Sequence, residues 1–484
     1  MKKALRITVV LVAALCTVLP VAADEGMWMP QQIPDLAPRL KELGFTGDAK
    51  IWADLTGFPM NAIVSLGGCS ASFISPEGLI ATNHHCVQGS LQYNSTPERN
   101  LIVDGYLART REEELSNGPG SRVWVTVSVK EVTDEITGKI DAKLTDRQRY
   151  DVIERRVKER TAACEKDGLR CRVASFFEGL RYFEIAQLEI NDVRLVHAPP
   201  QGIGNYGGET DNWQWPRHTG DFSFYRAYVG KDGKPAAFSK ENVPYRPKHF
   251  LKVSPKGASP GELIFVAGYP GRTQRHETYA EVKERTEWAL PRYVRRNREM
   301  IAILEETTKG HQDLAIKAEP RMRGLQNGMK KNEGVLAGLL KGGILARKEE
   351  KQKALEAWIA ADPQRMKEYG PVLSELATMQ AEGLKTRERD TAPATISYGS
   401  TLLGTADNLH RLSLERPKKD VDRDPAFQER NWTRTKEGLE RMQRTYDHRI
   451  DRPMLRYALL AAAALPEGQR IAPIDTLVGL VPGM

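Results

Sequence analysis

Along residues 67–87, GGCSASFISPEGLIATNHHCV, small or apolar positions alternate with polar ones, break at Pro76-Glu77-Gly78, and resume over residues 79–82. Period two on both sides of a turn triplet predicts a β-hairpin, with Asn83-His84-His85-Cys86 just past its return strand. Alternation over residues 121–133, SRVWVTVSVKEVT, predicts another strand, and residues 182–197 predict one or two more. DFSFYRAYV at 221–229 reads the same way, and residues 247–253 and 261–271 are the last strand-like runs. Between these segments, residues 88–114 read as a polar loop anchored by Tyr93 and Tyr106. Residues 144–163 read as a charged helix, and the Gly-, Asn- and Trp-rich residues 202–220 as a surface loop. From His276 the apolar spacing changes to three and four, predicting helices over 278–305, 314–347, 349–361, 372–385 and 432–465. Joints are expected at Pro291, Pro320, Pro363 and Pro393. The fold class is therefore mixed β and α: a β part over 24–275, then a large helical part over 276–484. Ahead of the hairpin, residues 35–58 predict a short amphipathic helix and an extended lead-in. Met27-Trp28 suggests an N-terminus tucked against something.

Composition adds a compartment. The 484 residues leave room for two to four domains, and 40% hydrophobic with 28% charged residues is ordinary for a globular protein. Residues 1–23 carry Lys2, Lys3 and Arg6, then an apolar run ending in Val21-Ala22-Ala23, the pattern of a cleavable signal peptide. The expected location is periplasmic or secreted. The formal charge of +8 falls to +5 without that leader, too mild to imply nucleic acid. No later run is apolar for long enough to cross a membrane; residues 459–465 are only a short patch. Of the five cysteines Cys16 leaves with the leader, and an even four remain for an oxidising compartment. Sequence alone allows three pairings. Cys69 with Cys86 and Cys164 with Cys171 is preferred, because each pair is close in sequence.

The candidate chemistry centres on His85. It combines the end of a hairpin strand with a flanking cysteine, a context that His197, His218 and His249 lack. Two other readings of the stretch are a core hairpin with a packed histidine and a metal fragment built on His84, His85 and Cys86. No HExxH or paired CxxC spacing supports the second. The hairpin resembles the first-barrel hairpin of chymotrypsin-like serine peptidases, in which the general-base histidine precedes a bridged cysteine. On that resemblance Asp221, opening an alternating strand downstream, is the matching acid.

GGCSASF with TNHHC, the DNW before GDFSFYRAYV, GYPGRT and the GMW opening together resemble the bacterial dipeptidyl-peptidase 7 and dipeptidyl-peptidase 11 family, from Gly26 to the end of the chain. The resemblance implies a chymotrypsin-like double β-barrel with an inserted helical domain. It further implies release of dipeptides from the free N-terminus of oligopeptides, a homodimer when full length, and no metal or cofactor. His85 would be the general base and Asp221 its orienting acid. Asn212, Trp213 and Asn327, the last in RGLQNGMKK, would recognise the substrate α-amine, and Gly324 and Gly328 would leave room for a close approach. One departure stands out. The GNSGSP-like motif of the nucleophilic serine has no counterpart. Ser70 and Ser72 are hairpin residues, and Ser397-Tyr398-Gly399-Ser400 falls between predicted helices. The expectation is an incomplete catalytic β-barrel domain, truncated before its nucleophile and inactive alone. The alternative is a peptide-binding protein without turnover.

Overall fold

The computed structural model describes residues 27–166, 168–271 and 276–479. The expected leader, residues 1–23, lies outside the described residues. The chain divides into two compact units, residues 1–54 and 55–484. In the first, 3-10 turns at Pro30–Leu36 and Ala49–Trp52 flank a one-and-a-half-turn helix at Ala37–Glu42. Pro34 and Pro38 break what reads in sequence as one amphipathic helix, and the lead-in turns rather than extends. Met27 and Trp28 are exposed, contrary to the expected tucked terminus.

Among the described residues, the second unit holds an antiparallel sheet of eleven strands. These are β1 (Ile63–Ser65), β2 (Ser70–Phe73), β3 (Leu79–Thr82), β4 (Tyr106–Leu107), β5 (Leu115–Ser116) and β6 (Val123–Glu131). They continue as β7 (Leu169–Phe176), β8 (Arg181–Ile190), β9 (Asp192–Ala198), β10 (Ser223–Val229) and β11 (Val243–Pro244). The main order is β4-β9-β10-β3-β2-β1-β6-β8-β7, with β5 on β9 and β11 on β10. The β2–β3 hairpin is as the alternation predicts. Gly78 turns it at φ 69°, where an added Cβ would meet the Ala227 carbonyl oxygen at 2.9 Å.

Four segments differ from expectation. Residues 88–114 are not a loop: α1 (Gln88–Asn94) and a turn at Leu101–Asp104 send Leu91, Leu101 and Ile102 into the sheet core. Their apolar positions are too few per segment for a period to show. Strand β7 lies at the sheet edge, half-exposed, so its alternation is weak. Residues 247–253 and 261–271 are not strands. Strand-like composition needs a ladder partner, and Val253, Ile264 and Val266 are exposed, with Leu251 N–H bonding Phe73 O at 2.8 Å.

After Glu277 the described elements are helical. Beyond α2 (Asp146–Cys164), they include α3 (Leu290–Thr308), α4 (Gln312–Lys341), α5 (Ile344–Ala360), α6 (Pro363–Gly399) and α7 (Thr401–Glu415). These are followed by α8 (Trp432–Thr445), α9 (His448–Ala463) and α10 (Ala472–Gly479). Pro363 opens a helix, Pro291 follows a π turn (Arg285–Ala289) inside a helical run from Tyr279 to Thr308, and Pro320 and Pro393 lie inside α4 and α6. A proline removes one backbone bond; apolar packing on both sides holds the helix across it. Leu314, Ala318 and Leu325 of α4 pack with Met300 and Leu304 of α3, and Ala392 and Ile396 of α6 with Ala458 and Leu459 of α9. The helices dock on the sheet. Ile316 of α4 joins the sheet core, and the Arg441 guanidinium of α8 donates to the carbonyls of Gly89, Asn117 and Pro119.

Both preferred cysteine pairs are closed, Cys69–Cys86 with Cα atoms 6.1 Å apart and Cys164–Cys171 with Cα atoms 6.0 Å apart. Chain entropy assigns the 17-residue separation of the first about 3 kcal/mol. The double variant Cys69→Ala/Cys86→Ala is expected to lose that much stability, read as a lower denaturant midpoint. An unchanged midpoint would contradict it.

Candidate active site

Strand pairing builds the site. Ser223 faces Thr82 and Phe224 faces Ala81 in antiparallel register. Continuing that register past both strand ends brings residue 221 level with residue 84, so Asp221 emerges beside the 3-10 turn His84–Val87. The Cys69–Cys86 bridge ties that turn to the start of β2.

His85 and Asp221 meet there. The His85 ring, in the tautomer with its proton on Nδ1, donates to Asp221 Oδ2 at 2.8 Å, and the His85 backbone N–H donates to Oδ1 at 3.0 Å. Asn83 Nδ2 donates to the Asp221 backbone oxygen at 3.1 Å and to Oδ2 at 3.3 Å, and Arg217 Nη2 stands 3.7 Å from Oδ2. Asn83 and Arg217 were not expected from the sequence. The available signal for Asn83 was its place at the strand end directly before the histidine pair. Asp221 is largely covered, whereas 64% of the His85 side chain is exposed. Burial pushes the Asp221 pKa up, but the His85 hydrogen bonds and charge, with Arg217, outweigh it and hold the carboxyl below its ordinary value. Asp221 therefore stays ionised, an orienting acceptor that fixes which imidazole nitrogen is free. The other ring nitrogen is left to act on a proton outside the pair.

The rival groups have other work. His84 is buried against Gln88 Nε2 at 3.3 Å, and burial first of all lowers its pKa, keeping it neutral. His197 Nδ1 bonds the Tyr106 carbonyl, and His249 lies against Phe58. Ligand atoms of Cys69, His85 and Cys86 fall within 4.8 Å of one another. Both sulfurs are joined in the disulfide, however, and a disulfide sulfur is not the thiolate that holds zinc. The metal reading of His84, His85 and Cys86 loses its sulfur ligand. Ser70 Oγ accepts from the Tyr269 N–H at 2.7 Å, and buried Ser400 caps α7 while donating to Asp451 at 2.6 Å.

A second cluster forms from residues far apart in sequence. Asn327 Oδ1, on α4, accepts from Asn212 Nδ2 at 3.0 Å and from Trp213 Nε1 at 2.9 Å. Trp213 takes a positive φ of 57° to reach it, and both Trp213 and Asn327 are exposed. Gly328 serves something else than expected: a Cβ there would meet the Tyr293 hydroxyl of α3 at 2.4 Å, so it permits helix packing, while Gly324 faces open space. Loop 202–220 carries Asn212 and Trp213 and leads directly into Asp221, linking the cluster to the His–Asp pair.

The profile of the Peptidase S46 family matches residues 23–482. The chain belongs to this family. The Asp/Glu-specific dipeptidyl-peptidase of Shewanella putrefaciens is 40% identical over 475 residues, covering 98% of this chain and 64% of its own length. A dipeptidyl-peptidase 7 of Phocaeicola vulgatus is 31% identical over 481 residues, covering 96% of this chain and 65% of its own. DPP11 of Porphyromonas endodontalis, crystallised with the dipeptide Arg-Asp, superposes with a TM-score of 0.77 at 26% identity, covering 95% of this chain and 66% of that one. The S46 chain thus spans just under two thirds of these relatives. Its mixed α and β architecture is theirs. Among the described residues no helix is long and apolar enough to cross a membrane.

Proposed function

We propose that this S46 chain carries the His–Asp half of a serine-type dipeptidyl-peptidase, a hydrolase that releases dipeptides from the free N-terminus of oligopeptides. One observation supports it above the rest: a single loop joins the ordered His85–Asp221 pair to the exposed Asn212–Trp213–Asn327 cluster. In this reading His85 takes the proton of a serine hydroxyl and returns it to the leaving amine. Asp221 holds the tautomer and balances the imidazolium that forms. A free amide oxygen of the cluster holds the substrate's α-ammonium, so the peptide is measured from its end. The β part, to about residue 275, is the catalytic domain, and the helical part is a cap that contributes Asn327. The two disulfides support a periplasmic or secreted location, and the assembly in this reading is a homodimer without metal.

The test compares chromogenic dipeptidyl substrates with a free α-amine, carrying acidic and hydrophobic second residues, against their N-acetylated forms. In an enzyme that joins these residues to a nucleophilic serine, release only from free-amine substrates, with fluorophosphonate labelling of that serine dependent on His85, is the expected result. Equal turnover of acetylated substrates would overturn it. A second reading, capture of free N-termini without turnover, draws on one observation. Among the described residues the His85 ring bonds Asp221 and no hydroxyl. Saturable binding with no dipeptide release and no labelled serine would select it.

A further inference from the structure

The amine cluster does not end at Asn327. Glu209 lies in the short helical turn Gly208–Asp211, and its Oε2 accepts from the second N–H of the Asn212 amide at 3.0 Å. Asn212 Nδ2 thus donates to two oxygens, Glu209 Oε2 and Asn327 Oδ1. An amide turned the other way would set its oxygen against both of them, so the orientation is dictated by chemistry. Asn327 Oδ1 already receives two donors. The acceptor left in the cluster is Asn212 Oδ1, which among the described residues has no hydrogen-bond partner.

Glu209 is itself held by α4. Arg323 Nη1 stands 3.8 Å from Glu209 Oε1, and Arg323 Nε donates to Glu319 Oε1 at 2.7 Å. With the Asn205 amide turned so that its oxygen faces the guanidinium, Asn205 accepts from it at 2.5 and 2.8 Å. Glu319, Arg323 and Asn327 are four residues apart and form one stripe of α4. That stripe clamps the loop at Asn205, Glu209, Asn212 and Trp213. The charged groups around the turn are Glu209, Asp211 and Glu319 against Arg323 and Lys330, whose Nζ lies 3.4 Å from the Thr210 carbonyl. The Arg323 guanidinium is shared between Glu209 and Glu319.

We propose that Glu209 is a positioning residue of the amine site: it fixes the Asn212 amide with its oxygen toward the ligand and supplies the negative charge behind it. The ligand class is a protonated primary α-amine at a peptide N-terminus. This rests on the proposed role of Asn212, Trp213 and Asn327. An amide oxygen alone offers a cation only a dipole; a carboxylate one bond further back polarises that amide and adds charge in a partly screened site.

The test uses the whole 484-residue chain and calorimetric binding of dipeptides with acidic and with hydrophobic second residues, each with a free amine and N-acetylated. For the wild type, free-amine forms bind tighter, and their affinity falls as pH rises through the amine pKa of about 8. Glu209→Gln keeps the size and an acceptor but removes the charge. It is expected to bind the free-amine forms roughly tenfold more weakly, with a shallower pH dependence, unchanged affinity for the acetylated forms and an unchanged melting temperature. Glu209→Asp, which restores charge at shorter reach, binds between the two. Glu209→Gln binding within twofold of wild type, while wild type still distinguishes free from blocked amines, overturns the role of Glu209. Wild type that makes no such distinction overturns the amine-site reading beneath it.

Discussion

In an enzyme that joins these residues to a nucleophilic serine, replacing His85 by Ala is expected to lower kcat for dipeptide release by on the order of 10⁶, and Asp221→Asn by about 10⁴, with KM moving far less. The different sizes follow from geometry. In the proposed mechanism His85 carries the proton, and without it only the buried His84 remains at the end of β3. Asp221 moves no proton. It receives the His85 Nδ1–H at 2.8 Å and the His85 backbone N–H at 3.0 Å, so it fixes both ring tautomer and ring position. An asparagine there can turn its NH₂ toward Nδ1, stabilising the tautomer whose proton sits on the wrong nitrogen. Both variants should bind free-amine peptides as the wild type does, because neither residue belongs to the Asn212 cluster. The acid side of the pH profile adds a check. The Asp221 pKa is depressed on folding, so the stability it contributes is fully present above the unfolded value of about 3.9 and is lost only as pH falls through the lower folded value. Activity lost in the range where histidines titrate is therefore not loss of the Asp221 carboxylate. Steady-state kinetics of the three proteins decide the matter: an Asp221→Asn enzyme within tenfold of wild type would remove Asp221 from the mechanism.

How far such a site can be read from a chain depends on whether its parts sit on periodic elements. The strands that carry His85 and Asp221, β3 and β10, are legible because alternation survives without knowledge of neighbours; the roles of the two residues came from the resemblance. That β3 and β10 are paired is another matter. The register Ser223 to Thr82 joins residues 141 positions apart, and nothing local encodes it. Arg217 escaped notice for the same reason, lying in a loop without period. Short elements were the other failure. Helix α1 and the turn at Leu101–Asp104 bury three large side chains in all, too few for a helical period to show through their polar neighbours. Prolines misled in the opposite direction. Pro320 and Pro393 read as joints, yet α4 and α6 run through them because packing against α3 and α9 outweighs one missing backbone bond. Asn327 had no pattern behind it at all; resemblance alone picked it out. Its meaning lies in contacts reaching back 115 and 114 residues to Asn212 and Trp213.

Those contacts give the last large effect. Asn327→Leu is expected to lower kcat/KM for free-amine dipeptidyl substrates by about 10²–10³ while leaving the slow background on N-acetylated substrates unchanged. Leucine has the branched shape of asparagine but offers no acceptor. Asn212 Nδ2 keeps Glu209, whereas Trp213 Nε1 loses its partner and the indole is free to swing from its positive-φ pose. A lost neutral hydrogen bond is worth roughly 0.5–1.5 kcal/mol and one to a charged group roughly 1.5–3 kcal/mol, so losing the indole contact and part of the ammonium binding together reaches the stated range. Asn327→Asp separates chemistry from shape. It preserves both accepted hydrogen bonds and adds a full negative charge beside the amine, so free-amine substrates should bind at least as tightly as to wild type, with a steeper loss as pH rises past about 8. A merely structural asparagine would respond differently, with both variants lowering the melting temperature and slowing free and blocked substrates alike. Equal slowing of the two substrate classes by Asn327→Leu would therefore take Asn327 out of amine recognition and leave it as a helix-to-loop fastening.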